Sequence, residues 1–62
     1  MSFAAMHIVI AKTWGGGEQY VYDVCAEMKN KDITSYVVVD EKNIEFQNKY
    51  KEVANVLTAN LY

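Results

Sequence analysis

"HIVIAKTWGGGEQYVYDVCAEMKN", residues 7–30, sets an apolar run, three consecutive glycines and a helical pattern in immediate succession. The run at 7–11 has strand length and a β-branched centre. Lacking polar alternation, it reads as a strand covered on both faces, as in a parallel sheet. From Glu18 to Lys29, Val21, Val24, Cys25 and Met28 fall at i, i+3, i+4, i+7 and form one apolar helical stripe, with Gln19, Asp23 and Glu27 off it. Asn30, in "NKD" at 30–32, is the expected left-handed cap. Strand, glycine turn, helix is the opening of an α/β unit.

The rest of the chain continues the alternation. "ITSYVVVD" at 33–40 is rich in β-branched residues and reads as a second strand. A second helix is expected over 43–51, with Ile44, Phe46, Gln47 and Tyr50 inward, and a third strand over 55–61 with Val56, Leu57, Thr58 and Leu61 as its core. The fold class is therefore α/β: a β-α-β-α-β three-stranded parallel sheet with right-handed crossovers, a partial Rossmann-like domain. Its strands would lie in the order 3-2-1. The first strand would then present an unpaired apolar edge, a surface that pairs with something or aggregates. Both helices are expected on one face of the sheet, leaving the other open.

Sixty-two residues allow one small domain, which buries only about 60% of its unfolded surface. Small domains compensate with disulfides, a metal or self-association. A single cysteine excludes an internal disulfide, and one Cys with one His cannot supply the usual four ligands of structural zinc. Self-association through the edge strand remains, so a homo-oligomer is expected. The hydrophobic content of 52% is that of a folded core. Six scattered lysines and a net charge of −2 form no basic patch for nucleic acid. No apolar run is long enough to span a bilayer. A lone cysteine fits a reducing compartment, hence a cytoplasmic location. Met6 reads as a second candidate start, with 1–5 a leader- or tag-like extension and 6–62 the partial Rossmann-like domain.

The glycine turn is the candidate site. Backbone N–H groups at a helix N-terminus bind anions through unsatisfied donors and the helix dipole. The dinucleotide fingerprint GxGxxG fits in part only: Gly15 and Gly17 occupy its first two glycines, but Tyr20 stands at the third. The phosphate-loop pattern GxxxxGK[ST] is absent. Two readings stay open, contact with a ligand and a plain tight turn. Lys12 and Thr13 sit at the strand's carboxyl end, where ligands gather in open α/β sheets. Trp14 is placed either to stack on a sugar or base or to cover the end of the sheet. His7 has no companion ligands, and Cys25 lies on the buried stripe, where a small inert hydrophobe is the common case. The tyrosines read as packing or interface residues.

The stretch from Met6 to Asp40, with "GGGE" at 15–18 between strand and helix, resembles the opening of family 4 glycosyltransferases, retaining enzymes of the two-domain GT-B fold. In one place it departs: the family's Gly-His between helix and second strand is Lys31-Asp32 here. The resemblance implies that Gly15, Gly16 and Gly17 line an interdomain cleft near the donor phosphates and the acceptor. It also implies a nucleotide-sugar donor for the full-length enzyme and no other cofactor. The partner would be the missing remainder of the enzyme, whose second domain carries a Glu-x7-Glu pair. None of the five glutamates here is eight residues from another. No catalytic residue is therefore expected within this chain, and the piece by itself would be inactive. A non-catalytic self-associating module and a phosphate-binding module of flavodoxin type are the alternatives.

Overall fold

The computed structural model describes residues 4–62. Five elements follow in order: β1 (Ala4–Ile8), α1 (Gly16–Asn30), β2 (Thr34–Asp40), α2 (Ile44–Tyr50) and β3 (Asn55–Ala59). β2 is central and runs parallel to both neighbours. The result is the expected α/β architecture with Rossmann-like topology. β1 is an edge strand, with no described strand on its outer side.

The first strand lies upstream of its expected position. Ala4 and Ala5 pair with Thr34 and Ser35, although alanine has low strand propensity. Backbone pairing with the first residues of β2 overrides that propensity. The ladder runs one residue past the strand, where the Val9 N–H donates to Val38 O at 2.9 Å. Ile10 and Ala11 then lead towards the helix. Residues 1–3, which belong to the leader-like extension read at 1–5, lie outside the described residues.

Both helices feed one core cluster. Cys25 from α1 and Phe46 and Tyr50 from α2 close over Val9, Val37 and Val39 of the sheet, with Trp14, Val21, Tyr22 and Val56 packed at its margin. Parallel register puts paired residues on the same face, so Ile8, Val38 and Leu57 line up on the opposite side, with Met6 beside Tyr36. Met6, Ile8 and Ile10 are each more than 60% exposed. The apolar run of β1 is thus covered on one face only. Its second face is apolar because of sequence, but neither α1 nor α2 covers it.

Helix termini follow local chemistry. α1 begins at Gly16, two residues before the expected start, because Gly16 and Gly17 take helical positions and the extended Gly15 is the N-cap. At the other end Asp32, not Asn30, adopts the left-handed conformation, with φ 58°. Asp32 N–H donates to Lys29 O at 3.2 Å and Ile33 N–H to Met28 O at 2.9 Å. This is the paired Schellman pattern, with aspartate where glycine is usual. In α2, the Asn43 side chain accepts the Phe46 N–H at 3.1 Å. Phe46 and Tyr50 are buried as expected, whereas Ile44 is 58% exposed. Gln47 does not enter the core; its amide donates to Asp40 O at 3.2 Å and Glu41 O at 3.1 Å. β3 ends at Ala59, so Leu61 lies beyond it. Among the described residues, no helix is long and apolar enough to cross a membrane.

Candidate functional site

The link from β1 to α1 leaves the carboxyl end of the sheet, the end at which open parallel sheets bind ligands. Three consecutive glycines lie on this link and at the start of α1. None has a positive φ. A Cβ built on Gly16 or Gly17 meets nothing within 4 Å, and one on Gly15 meets only the flexible Glu18 carboxylate at 3.3 Å. At Gly16 and Gly17 neither a positive φ nor a neighbouring atom calls for glycine, whereas at Gly15 a Cβ would press on the Glu18 carboxylate that caps the helix. Gly16 and Gly17 are also poorer helix formers than alanine, although at the first two positions of α1 the cost is below that of a helix interior.

The first turn of α1 carries unsatisfied donors. Glu18 Oε1 accepts the Gly15 N–H at 2.8 Å, and Gln19 N–H donates to Gly15 O at 3.0 Å. The N–H groups of Gly16 and Gly17 have no acceptor among the described residues, as expected for the start of a helix. Their partial positive charge, reinforced by the helix dipole, is a place for an anionic group. The Glu18 carboxylate already occupies part of that field, so an incoming anion competes with it at Gly15.

The other sequence-predicted residues divide. Lys12 is exposed, and its ammonium lies 5.1 Å from the centroid of the Tyr62 ring. Thr13 is exposed and makes no side-chain hydrogen bond among the described residues. Trp14 turns inward against Phe46 and Tyr50, covering the end of the core, with its indole N–H donating to Gln19 Oε1 at 3.1 Å. It is half-buried, and its remaining surface borders a small open groove with Gln19, Tyr22, Lys49 and Glu52. Tyr62 and Asp40 are contacts that the sequence reading did not place at this end. Their only signals were an aspartate ending a β-branched run and an aromatic residue following the third strand.

An open groove of about 430 Å³ is bordered by Lys29, Thr34, Lys51 and Asn55, at the amino ends of β2 and β3. A second, about 370 Å³, runs along α1 beside Tyr20, Val24 and Met28. The glycines border neither, and a smaller groove of about 160 Å³ lies next to the turn between Trp14, Gln19 and Lys49. Cys25 is fully buried, and burial pushes its thiol up, opposed in part by Ser35. That environment keeps it protonated and unreactive. No group of three or more His, Cys, Asp or Glu residues among those described is placed to hold a metal ion.

No protein-family model, curated protein or solved structure matches this chain. What the fold defines is a class: a small β-α-β-α-β unit with a parallel three-stranded sheet of Rossmann-like topology and a glycine turn leading into its first helix.

Proposed function

We propose that this chain supplies part of the N-terminal domain of a glycosyltransferase resembling family 4. Such an enzyme transfers a sugar from a nucleotide-sugar donor to an acceptor hydroxyl with retention. The chain's role is one wall of the substrate cleft, and the catalytic groups come from the remainder of the enzyme. The reading rests on the resemblance of residues 6–40. One observation carries it further: Gly16 and Gly17, at the start of α1, are glycines that neither backbone conformation nor packing requires. Glycine lets a ligand or another backbone approach the main chain closely. The exposed β1 edge and open apolar face are the surfaces on which a larger sheet and its second helical layer would be completed.

Titration with a uridine-diphosphate sugar, followed by amide resonances, tests this reading. Shifts confined to Lys12, Thr13, Gly15, Gly16 and Gly17 are expected, and they disappear in Gly16→Ala/Gly17→Ala while the protein becomes more stable. Unmoved glycine resonances at millimolar ligand would rule the site out.

A second reading is favoured by the exposed Met6, Ile8 and Ile10 beside an unpaired strand edge. In it the chain is a non-catalytic module whose β1 edge extends the sheet into a second copy. Sedimentation over a hundredfold concentration range separates the two, because only this reading requires a dimer at low micromolar protein.

A further inference from the structure

The unpaired edge of β1 and one flank of α1 lie on the same side of the molecule. The Val9 N–H points to β2, donating to Val38 O at 2.9 Å, and successive strand residues alternate in direction. The backbone N–H and C=O groups of Met6 and Ile8 therefore point away from β2, to the side on which no described strand lies. α1 turns one flank to α2 and the turn after it: Lys29 Nζ donates to Glu52 O and the Tyr50 hydroxyl to Glu18 O, both at 3.0 Å. With strand order β1-β2-β3, the opposite flank faces the β1 side. That flank holds the groove of about 370 Å³ along Tyr20, Val24 and Met28, with Asp23, Glu27 and Lys31 among its borders. Tyr20 is 69% exposed there.

We propose that this side is a two-fold interface with a second copy of the chain, in which β1 pairs antiparallel with its counterpart and the two α1 flanks close over the joint. The proposal rests on the self-associating reading and deepens it, by naming the second half of the interface and its symmetry.

Geometry, charge and area each select a second copy. A two-fold axis normal to the sheet sets β1 against β1 with both helices on the same face, an isologous contact. Met28, whose sulfur accepts the Ser35 hydroxyl at 3.3 Å, holds α1 inside the edge by half to one strand spacing of about 4.8 Å. The two α1 axes then stand about 10–14 Å apart, against about 8–10 Å for helices in direct contact. Side chains as long as Tyr20 and Met28 fill the difference. The paired helices run antiparallel, which brings Lys31 of one flank towards Tyr20 and Asp23 of the other copy; a parallel arrangement would set like charges together. A standard interface takes about 800 Å² from each partner, about a fifth of the 4199 Å² that this chain exposes. A five-residue strand edge, about 17 Å long and one layer deep, falls far short of that. The 15-residue helix, about 22 Å long, adds a second layer and makes the contact one whole side of the domain.

Sedimentation over a hundredfold concentration range, with amide exchange at each end of it, tests the interface on the wild type, Tyr20→Glu and Met6→Pro. Circular dichroism establishes that each variant folds; Tyr20 is exposed, and proline at Met6 removes only an outward N–H. The expected result is a dimer whose Met6 and Ile8 amides gain protection with concentration, while the His7 amide, which points to β2, does not change. Either substitution is expected to raise the dimer dissociation constant at least about tenfold. A dimer with protected Met6 and Ile8 amides that Tyr20→Glu leaves intact overturns the α1 half and leaves the edge reading standing. A dimer in which those amides exchange freely at every concentration overturns the whole arrangement and moves the contact to another surface. A monomer throughout overturns both the interface and the reading on which it rests, and gives this side of the molecule to a different polypeptide.

Discussion

The indole of Trp14 meets the ring of Phe46 edge-on, with centroids 5.2 Å apart and planes at 88°. Tyr50 lies at the same centroid distance and Tyr22 at 6.3 Å, while the Lys49 ammonium sits 4.3 Å above the indole. One residue of the β1–α1 link thus joins α1, α2 and the core. Trp14→Ala is expected to lose about 3 kcal/mol, a large share of the stability of so small a domain. Urea denaturation measures this, and Trp14→Phe, which keeps an aromatic edge, should lose less than half as much.

Fold was legible in the sequence where period and propensity agreed. The Val-rich β2 and the α1 stripe through Val21, Cys25 and Met28 occur as expected, because both patterns record a buried face directly. β1 shifted because Ala4 and Ala5 carry no strand signal of their own; only the partner strand reveals them. Asp32 displaced Asn30 at the end of α1 because the helix ran longer than its apolar stripe. At the candidate site, glycine identity was plain, but its lack of a conformational cause was not. That required the φ angles and the empty space around Gly16 and Gly17. The Asp40–Leu61 contact joins residues 21 apart, and no local pattern encodes it.

Alkaline pH should act through Tyr50. Its side chain is fully buried and its hydroxyl donates to Glu18 O at 3.0 Å. Burial, then the charge of Glu18 and the influence of Cys25, pushes its pKa up to about 12 from the ordinary 10. A raised phenol pKa means that the folded state holds the proton more tightly, so the associated stability is complete below pH 10 and is lost as pH rises to about 12. The expected result is a falling urea midpoint across that window. Tyr50→Phe loses about 1 kcal/mol at neutral pH with the hydrogen bond, and its midpoint should fall less steeply above pH 10. Parallel curves for the two proteins would assign the alkaline transition to another group.

The left-handed backbone at Asp32 offers a stabilising substitution. With φ at 58°, a residue bearing a Cβ is strained by about 1 kcal/mol, which aspartate relieves in part and glycine avoids. Asp32→Gly keeps both backbone bonds that end α1 and is expected to gain about 0.5 kcal/mol despite the greater freedom of glycine in the unfolded chain. Asp32→Val, β-branched, should lose more than 1 kcal/mol at the same position. Thermal unfolding of the pair checks the sign in each direction, and a stable valine variant would contradict the left-handed assignment.

His7 is the reverse case, a polar side chain on the core-facing side of β1. It pairs in register with the fully buried Val37, and its Nε2 is buried without a hydrogen-bond partner among the described residues. Leaving a buried polar atom unpaired costs about 1–3 kcal/mol. His7→Leu removes that atom while keeping much of the side-chain volume, so it is expected to raise stability by about 1 kcal/mol, read as a higher urea midpoint at unchanged slope. His7→Ala removes the same atom but leaves a cavity beside Val37, and the two effects oppose one another. The leucine variant should therefore be the more stable of the two. A leucine variant less stable than the wild type would mean that the imidazole nitrogen is satisfied in solution.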